Sequence, residues 1–189
     1  MRKAPALLAA LVTFGALSGA APALATGLDI EIAGEASGTI HIDLFEDIAP
    51  KHVEQITALA AAGDYAGVYF HRVIKGFMAQ TGDVEFAREG GDMRRAGMGG
   101  SSRPDLPAEF SDKTFDRGVV GMARAQNPNS ANSQFFIMFA PGPFLDGQYT
   151  VVGEVTSGMD IVDAIKLGDG PHGSVIGEPE RLVKVTVTE

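Results

Sequence analysis

Short runs of period-two alternation, separated by turn residues and without the strand–helix–strand rhythm of parallel crossovers, most narrow what this chain can fold into. Thr39 to Phe45 places Ile40, Ile42 and Leu44 on one face and Thr39, His41 and Asp43 on the other, the pattern of a strand wet on one side. A weaker alternating run at Leu28 to Ile32 precedes it, so the two read as an antiparallel pair. Further strand-like runs lie at Val68–Ile74, Phe77–Thr81, Val119–Ala123, Ser133–Phe139, Tyr149–Val155 and Arg181–Val187. In Ser133–Phe139, Gln134 and Phe136 share one face while Phe135, Ile137 and Phe139 share the other, so one aromatic can line a site as the rest fill a core. Two helices are expected. The first starts at Pro50, carries Val53, Ile56, Leu59 and Ala60 at helical spacing and stops at Gly63; the second, Met159–Ile165, has Ile161, Val162 and Ile165 as its stripe. Many short strands, two short helices and no internal repeat define an all-β barrel or sandwich.

The flanks add a compartment. Met1 is followed by Arg2 and Lys3, then by an uncharged Ala- and Leu-rich run from Ala4 to Ala25 that ends in Ala23-Leu24-Ala25. This reads as a secretory signal peptide over residues 1–25, leaving one domain at 26–189. The run is long enough to span a bilayer as an uncleaved anchor, but Pro5, Pro22 and the small residues Ala23 and Ala25 favour cleavage. With no cysteine, neither a lipid-modified cysteine nor a disulfide is available. The leader is of the bacterial type, which makes the periplasm the expected destination. A net charge of −9 repels phosphate backbones and anionic lipid. No nucleic-acid partner and no stable membrane association after cleavage are expected, and the domain should be a monomer.

Phe70 to Asp83, Phe-His-Arg-Val-Ile-Lys-Gly-Phe-Met-Ala-Gln-Thr-Gly-Asp, sets one cation and one amide among large apolar side chains. Lys75-Gly76 is the turn of a hairpin. Alternation puts Phe70, Arg72 and Ile74 on one face of its first strand, and Met78 and Gln80 together on the second. A guanidinium and an amide over Phe and Met suit a ligand that is apolar but carries a polarisable carbonyl. After the hairpin, Glu85 to Pro107 is a glycine-rich, mixed-charge segment that reads as a long functional or covering loop.

This stretch closely resembles the signature of the cyclophilin family of peptidyl-prolyl cis-trans isomerases. Two more segments match: Met122-Ala123-Arg124-Ala125 leading into Ser133-Gln134-Phe135-Phe136-Ile137, and Phe144-Leu145-Asp146-Gly147 leading into Tyr149 to Gly153. The resemblance runs from about Leu28 to Val187 and implies a closed eight-stranded antiparallel barrel with a helix capping each end. It implies rotation of Xaa-Pro bonds in unfolded or exported polypeptides, with Arg72 as catalytic residue. Substrate would be bound by Phe77, Met78, Gln80, Ala123, Arg124, Ala125, Gln134, Phe136, Phe144, Leu145 and Tyr149. Strict alternation would turn Phe77 away from Met78 and Gln80, so a bend or bulge near Gly76 is expected. Phe144, Tyr149 and Arg124 stand where the best-known eukaryotic members have Trp, His and Asn. The family's role at the position of Arg124 belongs to the backbone, which leaves that side chain free to vary.

Other chemistries lack their residues. His41, His52, His71 and His172 form no metal-binding spacing, and no Gly-x-Ser-x-Gly elbow is present. Gly97 to Gly100 are not followed by the Lys of a phosphate-cradling loop. No metal or cofactor is expected. The competing function is a holdase that uses the same pocket to bind peptides without catalysis, and only Arg72 argues against it. Mass analysis of the exported protein should show Thr26 at its N-terminus; intact Met1 in a membrane fraction would overturn the export reading.

Overall fold

A computed structural model describes residues 26–189; the expected leader, Met1–Ala25, lies outside the described residues. The strands are β1 (Gly27–Ala33), β2 (Gly38–Leu44), β3 (Arg72–Ile74), β4 (Met78–Thr81), β5 (Val119–Met122), β6 (Phe135–Met138), β7 (Val151–Ser157) and β8 (Arg181–Thr188). Helix α1 spans Pro50–Ala62 and α2 spans Met159–Ala164. All eight strands belong to one sheet in the order β3-β4-β6-β5-β7-β2-β1-β8, and every neighbouring pair is antiparallel.

The expected β1–β2 pair forms, with Ile30 opposite Ile40 and Leu28 opposite Ile42. Their apolar faces turn inward with Val120, Met122, Phe135, Ile137, Val152 and Val185 to make the main core. Helix α1 adds Val53, Ile56, Leu59 and Ala60. Pro50 sits in its first turn, and Gly63 ends it in the left-handed region at φ 78°, where glycine carries no Cβ penalty. Ala49 supplies no side-chain cap. Instead the Glu109 carboxylate, from a distant loop, accepts from the backbone N–H groups of Lys51 and His52 at 3.3 and 3.2 Å. A carboxylate there satisfies two otherwise unpaired donors and complements the helix dipole.

The sheet is not a closed barrel. It is an open, strongly curled half-barrel whose outer strands are β3 and β8. Register shifts at Glu31/Ile32, His41/Ile42 and Val120/Gly121 supply the extra residues that bend a sheet. Closure fails because the expected strand Val68–Ile74 keeps strand geometry only from Arg72. Its first half meets the start of β8 through an isolated bridge, Tyr69 to Arg181, and through scattered bonds such as Phe70 N–H to Glu180 O at 2.9 Å and Leu182 N–H to Val68 O at 2.7 Å. Phe70 and Val73 both enter the main core. Positions three apart cannot share a face of a regular strand, so Phe70 does not lie with Arg72 as alternation suggested.

The Glu85–Pro107 segment is gathered by two side chains, Asp83 over its first half and Asn132, bonded to Ser101, Arg103 and Asp105, over its second. Asp83, fully buried, accepts from the N–H groups of Glu85 (3.2 Å), Phe86 (2.8 Å), Gly97 (2.7 Å) and Gly99 (3.2 Å). The Asp83 carboxylate thus ties the start of the loop to its middle, in a segment that has little regular structure of its own. Asp83→Ala leaves those donors unpaired in a dry interior, and should lower stability by roughly 3 kcal/mol or more in urea unfolding; an unchanged midpoint would show that the loop is held elsewhere.

Candidate active site

A second cluster lies outside the main core: Met78, Phe115, Val119, Phe136, Met138, Leu145 and Val151, with Ile74, Phe77, Ala123 and Tyr149 against it. Met78 of β4 and Phe136 and Met138 of β6 alternate with Ala79, Phe135 and Ile137, which face the main core, as the split of Phe136 from Phe135 and Ile137 required; β5, β7 and two loops supply the rest. Gly121 allows the packing beneath it, since a Cβ there would press on the rings of Phe115 and Phe136, which stack at 5.8 Å.

Above this cluster is a cavity of about 360 Å³ lined by Arg72, Phe77, Met78, Gln80, Ala123, Arg124, Phe136, Phe144, Leu145, Gln148 and Tyr149. Gln134 and Ala125 do not line it. They border an adjoining cavity of about 570 Å³, with Gly97–Ser101, Asn132 and the shared residues Gln80, Ala123 and Arg124. Sequence reasoning misses Gln148 because no pattern marks it. It follows the Asp146-Gly147 turn and joins the wall through its bond to Phe144 O at 2.9 Å.

Phe77 reaches the cavity without a bulge. Arg72 pairs with Gln80, Val73 with Ala79 and Ile74 with Met78 in unbroken register. Lys75, Gly76 and Phe77 form the connecting loop, closed by Phe77 N–H to Ile74 O at 3.0 Å with Gly76 at φ 69°. Phe77 precedes the strand, so alternation does not govern its side chain. It packs on Phe144 at 5.4 Å. Phe144 stands 62% exposed on the short turn Pro143–Leu145, which Asp146 fixes by accepting from Phe115 N–H at 2.8 Å.

Arg72 is half-buried at the cavity edge. Its Nε donates to the His172 carbonyl at 2.9 Å and its Nη1 to Gln80 Oε1 at 3.1 Å, with Met78 Sδ at 3.9 Å. Gln80 Nε2 donates in turn to Gln134 Oε1 at 2.9 Å, and Gln134 Nε2 to Gly99 O at 2.8 Å. The chain therefore ends in the loop that Asp83 holds. Among the described residues Nη2 has no partner, which leaves one donor edge for a ligand. Burial pushes the guanidinium below its usual value while Tyr149 pulls the other way, and arginine stays charged regardless.

The Arg124 side chain, for which the resemblance assigns no role, is held by its neighbours. Its Nη1 donates to Ala125 O (2.9 Å) and Gln126 O (3.3 Å), its Nη2 to Gln148 O (2.9 Å), and the guanidinium lies 4.3 Å over the Tyr149 ring. It ties two loops across the wall between the cavities. Tyr149 also meets Phe136 edge-on at 6.0 Å.

Matches to known proteins follow the same lines. Residues 28–188 match the cyclophilin type peptidyl-prolyl cis-trans isomerase/CLD family. A Brucella suis protein named as a probable peptidyl-prolyl cis-trans isomerase is 60% identical over 152 residues, 79% of this chain and 78% of that one. A peptidyl-prolyl cis-trans isomerase of Arabidopsis thaliana is 39% identical over 157 residues, 79% of this chain and 90% of that one. The crystal structure of a Cryptosporidium parvum cyclophilin aligns with a TM-score of 0.73 at 26% identity, covering 88% of this chain and 99% of that one. The chain belongs to the cyclophilin-type peptidyl-prolyl cis-trans isomerases, and its reaction is the rotation of Xaa-Pro bonds.

His71, next to Arg72, is buried with neither ring nitrogen in a well-formed hydrogen bond. Desolvation holds its pKa below the usual 6.5 and Arg72 adds to this, while Asp83 and the Tyr69 backbone pull upward. The unfolded chain therefore binds a proton that the folded one refuses, so stability is full above pH 6.5 and falls as the pH drops below it, by at most about 1.4 kcal/mol per pH unit. Urea unfolding at pH 7.5 and 5.5 should show a larger loss in the parent than in His71→Leu; equal losses would mean that His71 titrates normally.

Proposed function

We propose that Arg72 is the catalytic group, donating from its free edge to the prolyl nitrogen as that atom becomes pyramidal, with Phe77, Met78, Phe136 and Leu145 holding the proline ring. The observation that carries this reading is a guanidinium fixed by two acceptors, His172 O and Gln80 Oε1, at the rim of an apolar cavity. Rotation about the bond meets a barrier of ~20 kcal/mol because the nitrogen lone pair is shared with the carbonyl. Capturing that lone pair helps only in the twisted state, so it lowers the barrier without tightening ground-state binding. A thousandfold acceleration, from ~0.01 to ~10 per second, needs about 4 kcal/mol. One charge-assisted hydrogen bond supplies about 1.5 to 3 kcal/mol, and positioning of one side of the bond by the cavity supplies the rest. No proton transfer is required.

The same reading takes proline-containing exported polypeptides as substrates, met in the periplasm by a monomer without a cofactor. Its support is the leader-like composition of residues 1–25 and the negative charge of the chain. Arg72→Ala should slow isomerisation of a proline peptide by roughly tenfold or more with a smaller change in peptide affinity. Arg72→Lys should not restore the rate, because an ammonium cannot make both anchoring bonds and keep a planar edge for the substrate. Full activity in Arg72→Ala would remove Arg72 from the mechanism, and a parent that binds peptide without accelerating isomerisation would make the protein a holdase.

A further inference from the structure

The loop after α2 folds onto the outer edge of β3. Gly168 N–H donates to Val73 O at 2.9 Å and Val175 N–H to His71 O at 3.0 Å, and Ser174 bridges to Arg72. Between these stitches is the tight turn Pro171–Gly173, with His172 at φ 57°, ψ 22°. Among the described residues His172 is the one non-glycine with positive φ, a conformation that a side-chain-bearing residue adopts at a cost. The imidazole is exposed and makes no hydrogen bond among the described residues, so it does not account for that cost. The carbonyl does: it receives Arg72 Nε–H at 2.9 Å. Gly173 follows at φ 81°, packed so closely that a Cβ would collide with Ile74, which keeps the turn from backing away from β3.

We infer that His172 is a positioning residue for Arg72: its left-handed backbone presents the carbonyl that fixes the plane of the guanidinium. The inference rests on Arg72 being the catalytic group. Gln80 alone anchors one nitrogen and leaves the fork free to pivot about that bond. A second acceptor at Nε removes the pivot and sets the direction of Nη2. Because a backbone atom does this, the requirement on residue 172 is conformational. Asparagine, which tolerates the left-handed region, satisfies it; a β-branched residue opposes it.

The test compares His172→Val, His172→Asn and Arg72→Ala in a proline-peptide isomerisation assay, alongside the nitrogen-15 NMR signal of Arg72 Nε–H. The Val variant should lose roughly three- to tenfold in kcat with KM changed by less than about twofold, and its Arg72 Nε–H should exchange faster with water. The Asn variant should restore both the rate and the protected signal. If Val keeps the parental kcat and protected signal while Arg72→Ala is slow, the positioning role is wrong and Arg72 stands. If Asn falls as far as Val, the imidazole and not the carbonyl acts, and the inference is overturned. If Arg72→Ala keeps full activity, the catalytic reading fails and takes the inference with it. Should the Val variant not fold, His172→Thr replaces it with the same expected outcomes.

Discussion

The site depends on how a half-buried cation is held. A free arginine at a cavity rim samples many rotamers, and each hydrogen bond it could offer a substrate would first have to order it. Here the ordering is done in the folded state. His172 O and Gln80 Oε1 take two of the guanidinium's nitrogens, and Gln80 is itself oriented by Gln134, which leans on Gly99 O. Gly99 N–H in turn points at the buried carboxylate of Asp83. Loop, strand and side chain are therefore parts of one hydrogen-bonded chain that ends at Arg72, on the edge of the cavity. Such chains are strong when every member is satisfied and weak when one is removed.

The same arrangement explains why the cavity is mostly apolar. A prolyl bond is loosened by weakening its conjugation, and a donor aimed at nitrogen competes with water for that lone pair. In the proposed mechanism Phe77, Met78, Phe136 and Leu145, which line the cavity, hold the ring, so that the one polar contact acts against apolar walls where it is worth more than in water. Arg124 serves differently, through bonds to three carbonyls and its stack on Tyr149. It braces the wall with both terminal nitrogens occupied, whereas Arg72 keeps Nη2 unpaired among the described residues.

Period-two patterning makes the β1–β2 pair and the two-faced β6 legible in the sequence, because those strands are regular and their two faces meet different surroundings. It misplaces Phe70 because the chain there leaves the sheet to fill the core, a tertiary demand that local alternation does not encode. Barrel closure follows from family likeness alone and fails at the same segment, where β3 is too short to pair along β8. Three matched motifs locate most of the residues that line the cavity, whereas Gln134 and Ala125 fall one cavity away. His172 leaves no trace in sequence because it works through a carbonyl, and every residue has one. The bracing role of Arg124 is equally hidden from family likeness, which assigns that position to the backbone, whereas here the side chain reaches Gln148 O.

The central claim is that Arg72 acts on the twisted state and not on either resting isomer. NMR exchange spectroscopy on a proline peptide bound to the enzyme separates the two, because it reads the cis-to-trans rate on the protein alongside the affinity for each isomer. The account predicts that removing the Arg72 guanidinium lowers the on-enzyme exchange rate by roughly tenfold or more while both affinities move by less than about threefold. Affinities that collapse while the on-enzyme rate stays at its parental value would contradict it.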